Sequence, residues 1–195
     1  MALYLNILGI HIPSYGFMIT LGVITANLFA LYPLRKYKLN FDDMLILEAY
    51  TLLGAFLGAK LLYLFISYWD IDWSRMLEPQ YFNYIMQSGF VFYGGLIGGL
   101  LLFLLAGKIH HIDWKPFIIH LIYLIPWIHG FGRIGCFLAG CCYGIPYDGP
   151  FAVQFPEHSI APSDTTLFPV QLVEAICLLI LAVVLALSLI HISEP

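Results

Sequence analysis

The sequence predicts an all-α integral membrane protein, a polytopic helical bundle with about five spans. Three observations carry this. Of the 195 residues, 61% are hydrophobic and only 10% charged, against about 45–50% and about 25% in soluble domains. Five stretches approach the roughly 20 apolar residues that a spanning helix needs. The charged residues gather between those stretches, with a bias of sign from one loop to the next. So much apolar surface cannot be hidden inside a soluble core of this size, and a bilayer is the natural solvent. The net charge of −4 is small, and no basic run suggests nucleic acid. The N-terminus lacks the basic region and cleavage site of a signal peptide, so the first span is expected to act as the targeting signal.

The expected spans cover residues 12–34, 44–68, 89–105, 117–131 and 170–190. The fourth is short and can run on through the glycine-rich segment after it; otherwise that segment is a broken outer stretch. Arg35, Lys36 and Lys38 follow the first span, and Lys108 and Lys115 follow the third. Lysine and arginine collect in cytoplasmic loops, so these two loops face the cytoplasm. The second loop holds Asp70, Asp72, Arg75 and Glu78, with Trp69 and Trp73 as interfacial anchors. It belongs outside, with the N-terminus and the long segment after residue 131.

In that orientation several polar residues fall at one depth. Lys60 lies 16 residues past Met44, about 24 Å along its helix at about 1.5 Å per residue. Tyr15 begins the first span, Tyr93 the third, Arg133 follows the fourth, and Gln171 and Glu174 begin the fifth. Charges at this depth face a cavity or a partner, because burying one in lipid costs about 2.5–3.5 kcal/mol on insertion scales. Bland readings exist for each: Lys60 snorkelling to headgroups, Glu174 paired with Lys60 or Arg133, and the tyrosines in an interfacial belt. Taken together, two cations, two phenols and a carboxylate suit a phospholipid headgroup. Arginine supplies the phosphate fork and lysine a point charge.

Glycines concentrate in Tyr93-Gly94-Gly95-Leu96-Ile97-Gly98-Gly99 and in Gly130-Phe131-Gly132-Arg133-Ile134-Gly135. Small residues allow close helix packing, which accounts for Gly98 and Gly99 better than for a run with an arginine at its centre. Three of the four cysteines, Cys136, Cys141 and Cys142, fall within seven residues. They offer a rival reading as a membrane thiol-redox centre on an oxidising face, with Cys136 bridged to one of the adjacent pair. Zinc is a weaker option, since His129 is the nearby nitrogen and the spacing fits no common structural site.

At these residues the sequence resembles the prolipoprotein diacylglyceryl transferase family. Gly132-Arg133-Ile134-Gly135-Cys136-Phe137-Leu138-Ala139-Gly140-Cys141-Cys142-Tyr143-Gly144 is similar to a family run of G-R-I-G-N-F followed by N-G-E and a further glycine. Ser14-Tyr15-Gly16 resembles W-Y-G, Gly58-Ala59-Lys60-Leu61-Leu62-Tyr63 resembles G-A-R-L-x-Y, and Tyr93-Gly94-Gly95-Leu96 resembles H-G-G-L. Pro150-Phe151-Ala152-Val153-Gln154-Phe155-Pro156 and Pro169-Val170-Gln171-Leu172-Val173-Glu174 resemble P-F-A-x-x-F-P and P-S-Q-L-Y-E. The matches keep their order along nearly the whole chain.

The resemblance implies transfer of the diacylglyceryl group of phosphatidylglycerol to the lipobox cysteine thiol of a preprolipoprotein, on the outer face of the bacterial inner membrane. It implies a monomer among membrane lipids, with no cofactor and no metal. Arg133 would hold the phosphate with Lys60 assisting, and Tyr15, Gly94, Gly95, Gly132, Gly135, Cys136, Gln171 and Glu174 would line the substrate site. Here Tyr93 stands for the family's histidine, Lys60 for its arginine, Cys136 for its asparagine and Cys141 for its acidic residue. Histidine suits proton transfer near neutrality, whereas tyrosine with its pKa of about 10 does not. Tyr93 is therefore expected to orient substrate, and His129, one turn before Arg133, is the alternative base. A non-catalytic lipid-binding relative is the remaining alternative.

Residues 187–195 resemble the translation of a transposase-type sequencing adapter. The expected organisation is one transmembrane domain over residues 1–186 and a non-native tail, with the reading frame cut near Ala186. The intact family fold has about seven spans.

Overall fold

The computed structural model describes residues 4–7, 10–87, 89–157 and 159–192; residues 193–195 of the expected tail lie outside them. In chain order the elements are strands β1 (Tyr4–Ile7) and β2 (Ile10–Pro13), then helices α1 (Ser14–Lys36), α2 (Phe41–Ile66), α3 (Pro79–Gln87) and α4 (Phe92–Ile109). Helices α5 (Lys115–Leu121) and α6 (Leu124–Ala139) follow, then strands β3 (Val153–Gln154) and β4 (Thr166–Leu167), and helix α7 (Val170–Ile192). Among the described residues α1, α2, α4 and α7 are long and apolar enough to cross a membrane, and α5 with α6 makes a fifth span bent by 57°. The chain is a multi-pass helical membrane protein. Exposed side chains such as Leu28, Phe56, Leu61, Phe65 and Leu101 cover the helix flanks, a surface that water would not tolerate at this extent.

Contacts divide the chain into two compact units, Met1–Lys38 with Ile118–Pro195, and Leu39–Phe117. The second is built on α2 and α4. Asn40 caps α2 by accepting the Asp42 N–H at 2.9 Å, and Asp42 and Asp43 fill its first turn. Both features suit the positive end of the helix dipole. Glycines let α2 and α4 touch backbone to backbone. A Cβ at Gly58 would overlap the Gly94 carbonyl, one at Gly94 the Gly58 carbonyl, and Gly54 and Gly98 face each other in the same way. Such pairing maximises van der Waals contact where lipid offers helices no hydrophobic drive to associate.

In the first unit α6 packs against α1 and α7. The Trp127 indole N–H donates to Thr25 Oγ1 at 2.9 Å, and the Tyr123 hydroxyl donates to the Phe29 carbonyl at 3.3 Å. After α6 the chain forms a small lobe, in which β3 and β4 pair antiparallel around buried Phe155, Ala161 and Leu167. Phe137 of α6 packs on Phe155 with ring centroids 5.8 Å apart, so the P-F-A-x-x-F-P resemblance marks a structural anchor.

Several expectations change. The first helix begins at Ser14, because residues 10–13 pair as a strand. The glycine-rich run from Gly130 to Gly135 is helical, and the break lies upstream at Ile122 and Tyr123. Pro126 is the cause: it offers no N–H to the Ile122 carbonyl and its ring crowds that position, so Ile122 takes a tighter bond from the Ile125 N–H at 3.2 Å. The α2–α4 connection of the second unit carries a 3₁₀ turn at Trp73–Arg75 and then α3, where the sequence predicts only a loop.

Candidate functional site

The last three turns of α6 carry the residues that the sequence singled out in the first unit, and glycines clear the way for the neighbouring helices. A Cβ at Gly135 would lie 3.1 Å from Tyr15 Cα and 3.3 Å from Met18 Cβ, and one at Gly132 would lie 3.4 Å from Ile19 Cδ1. On the α7 side, a Cβ at Gly130 would lie 3.0 Å from Leu179 Cγ. The glycines therefore bring α1 and α7 close around Arg133 and Cys136.

Arg133 forms an ion pair with Glu174 of α7, one of the two pairings expected for that carboxylate. The arginine side chain is 17% exposed and the glutamate 46%. Arg133 Nε is buried and has no hydrogen-bond partner among the described residues. A buried guanidinium N–H without an acceptor is costly, and it marks a place where a further anion would be stabilised. Gln171 is fully buried; its Nε2 donates to the Cys141 carbonyl at 2.9 Å, while Oε1 accepts no hydrogen bond from the described residues. Tyr15 is 46% exposed, within electrostatic range of Arg133 and the three thiols. His129 is exposed and within electrostatic range of both Arg133 and Glu174.

The end of α6 fixes the cysteines. Gly140 adopts the left-handed conformation, φ 69° and ψ 23°. Its N–H reaches the Phe137 carbonyl at 3.2 Å, and the Cys141 N–H returns to the Cys136 carbonyl at 3.0 Å. This is a Schellman cap, and it folds Cys141 and Cys142 back over Cys136. All three sulfur atoms lie within 4.8 Å of one another. Cys136 is buried, Cys141 half-buried and Cys142 exposed. The Cys136 thiol hydrogen-bonds to Cys141 and lowers its pKa to about 6, whereas burial raises that of Cys142. The sequence offers Cys141 and Cys142 as redox candidates, with zinc a weaker option and Cys141 standing for the family's acidic residue. The glycine that ends α6 was the signal that they would meet Cys136.

The second unit holds the remaining predicted residues. Lys60 is buried, 8% exposed; its Nζ donates to the Ile85 carbonyl near the end of α3 and lies 4.8 Å from the Tyr63 ring centroid and 5.0 Å from that of Phe90. Its ammonium is held within the unit rather than at its surface. Gly94 and Gly95 face α2, where a Cβ at Gly95 would lie 3.2 Å from the Ala55 carbonyl. Tyr93 is 69% exposed, with its ring edge-on to Phe92.

Known proteins share this sequence along its length. The family model described as prolipoprotein diacylglyceryl transferase matches residues 2–194. A phosphatidylglycerol–prolipoprotein diacylglyceryl transferase 2 of Clostridium perfringens is 36% identical over 88% of this chain and 65% of its own length. The corresponding transferase of Clostridium tetani is 34% identical over 88% of this chain and 67% of its own length. That of Rhodopirellula baltica is 34% identical over 77% of this chain and 31% of its own. The chain thus spans about two thirds or less of these relatives. None of them favours the thiol-redox reading.

Proposed function

Because the chain belongs to the prolipoprotein diacylglyceryl transferase family, we propose that it transfers the diacylglyceryl group of phosphatidylglycerol to the lipobox cysteine thiol of a preprolipoprotein. The observation that carries this reading is Arg133, paired on one side with half-exposed Glu174 and holding a buried Nε–H with no acceptor among the described residues. A phosphate diester presents an anionic oxygen that such a donor can take, and the guanidinium stays charged at any physiological pH.

The reaction makes one bond and breaks one. The acceptor sulfur, as thiolate, attacks the glycerol carbon that bears the phosphate ester. The carbon–oxygen bond breaks, and its electron pair leaves on the phosphate of the departing glycerol phosphate. Charge grows on that phosphate in the transition state, where a fixed cation is worth most. His129 is proposed to accept the thiol proton, and Tyr15 and Gln171 to line the headgroup pocket. For Lys60, Tyr93, Gly94 and Gly95 the support is the family pattern alone. The basic residues at the α1–α2 junction (Arg35, Lys36, Lys38) and at the α4–α5 junction (Lys108, Lys115) support placing the N-terminus and the end of α6 at the outer face of the bacterial inner membrane, in a protein acting as a monomer.

The test uses the protein in membranes containing phosphatidylglycerol, with a lipobox peptide as acceptor. Mass spectrometry should find a diacylglyceryl thioether on the peptide cysteine, reduced at least ~100-fold by Arg133→Ala. A folded protein that yields no thioether, or an Arg133→Ala variant that yields as much as wild type, would overturn the reading.

A further inference from the structure

The three thiols at the end of α6 form an arrangement that the family resemblance does not account for, since it implies asparagine and an acidic residue at two of the positions. Their sulfurs lie within 4.8 Å of one another. In a tetrahedral site with metal–sulfur bonds of about 2.3 Å, neighbouring sulfurs sit about 3.8 Å apart. Closing the cluster on an ion therefore needs shifts of about 1 Å or less. The Schellman turn already presents the three side chains to one point, two of them from adjacent residues. A disulfide would use two of them and leave the third idle, and a bridge between adjacent cysteines is strained.

The surroundings suit a thiolate-bound cation. Arg133 lies within electrostatic range of Cys136, Cys141 and Cys142, so a fixed positive charge faces the negative charge that thiolates leave around a divalent ion. The cluster grades from buried Cys136 to exposed Cys142, which leaves one side open. Among the described residues no fourth histidine, cysteine or carboxylate joins the group. Three protein ligands with an open fourth position is the pattern of catalytic rather than structural zinc.

We propose that Cys136, Cys141 and Cys142 bind one zinc-class ion, and that its open position takes the acceptor's cysteine thiol. The second half rests on the transferase reading; the first does not. Coordination deprotonates a thiol outright, with the proton passing to His129 or to water. The bound sulfur then forms its bond to the glycerol carbon as the carbon–oxygen bond breaks toward the phosphate. The ion gains and loses no electrons. The product is an uncharged thioether, a weaker ligand for zinc than the thiolate it replaces, which favours release. The device would supply the activation that Tyr93, in place of the family's histidine, cannot.

The experiment measures zinc content of the reduced, detergent-purified protein, and thiolate-to-cobalt charge-transfer absorption after exchange with cobalt(II). About one ion per chain is expected in wild type and in Cys177→Ser, and none in the Cys136→Ser, Cys141→Ser, Cys142→Ser triple variant. Should that variant fail to fold, Cys142→Ser alone, at an exposed position, should weaken cobalt binding more than about tenfold. The cobalt absorption should shift on adding a lipobox peptide and stay fixed with its serine analogue. Reduced wild type that takes up no metal, yet still makes thioether, would overturn the inference and leave the transferase reading intact. Metal bound with no shift from the peptide would overturn the acceptor half. Metal bound, with the shift but without transfer, would uphold the site and count against the transferase reading.

Discussion

Glycine does different work in the two units. In α2 and α4, Gly54, Gly58, Gly94 and Gly98 face one another, and each occupies space that a side chain on the other helix would need. The result is a close apolar pair whose polar content sits at its margins, as with Lys60 against the Ile85 carbonyl. In α6, Gly130, Gly132 and Gly135 face two different helices and alternate with Arg133 and Cys136. There the missing side chains make room for polar groups between helices. The same residue type therefore marks packing in one region and the proposed site in the other, and the polar residues interleaved with it tell them apart.

Substitutions at the two sets should separate these roles. Gly94→Leu places a branched side chain against the Gly58 carbonyl and Leu62, neither of which can withdraw. It should destabilise the α2–α4 pair by about 3 kcal/mol or more, read as loss of monodisperse protein in detergent. Gly135→Val meets Tyr15 Cα and Met18 Cβ. It should displace α1 by enough to lower transfer about 100-fold while the protein still purifies folded, because one of the two helices packed on α6 is untouched. Equal loss of folding in both variants would erase the distinction. Gly140→Ala forces a left-handed backbone onto a residue with a Cβ and pushes it toward Ser159. It should cost about 1–2 kcal/mol, seen as a lower unfolding temperature, and should spread the three thiols enough to slow their bridging by a short bis-maleimide.

The smallest effect lies in the α2–α4 connection, where Asp72 accepts from the Ser74 hydroxyl at 2.6 Å and its N–H at 3.1 Å. The Ser74 side chain leads the interactions that hold the Asp72 pKa below the ordinary carboxylate value. Its folded value being the lower one, the unfolded chain binds the proton more readily. The contribution is thus present above the ordinary carboxylate range and lost as pH falls through the folded value. Asp72→Asn should flatten this slope in a pH series of unfolding temperatures; an unchanged slope would assign it to another group.

The spans were legible because a run of some 20 apolar residues is a strong signal, and their order followed from it. What lay outside hydropathy was harder. The break at Ile122 and Tyr123 sits inside an apolar stretch, and Pro126 was its one marker. The start of α2 at Phe41 is polar, so hydropathy placed it at residue 44, although Asn40 followed by Asp42 and Asp43 reads as a helix cap. At the site, Arg133 and Glu174 could be named from their depth, yet their pairing was one of two options until the packing of α6 on α7 settled it. The convergence of Cys136, Cys141 and Cys142 depends on the left-handed turn at Gly140, a local geometry that spacing alone does not convey.

On the proposed reading α6 contributes, beyond its packing on α1 and α7, a charge fork for phosphate at Arg133. Initial transfer rates from phosphatidylglycerol for wild type, Arg133→Lys and Arg133→Gln test it most directly. The account predicts a graded loss, with lysine intermediate because it keeps the charge without the fork, and glutamine at least ~100-fold below wild type. All three proteins should unfold at similar temperatures. Rates that fall equally for lysine and glutamine in step with lost stability, or that do not fall at all, would contradict it.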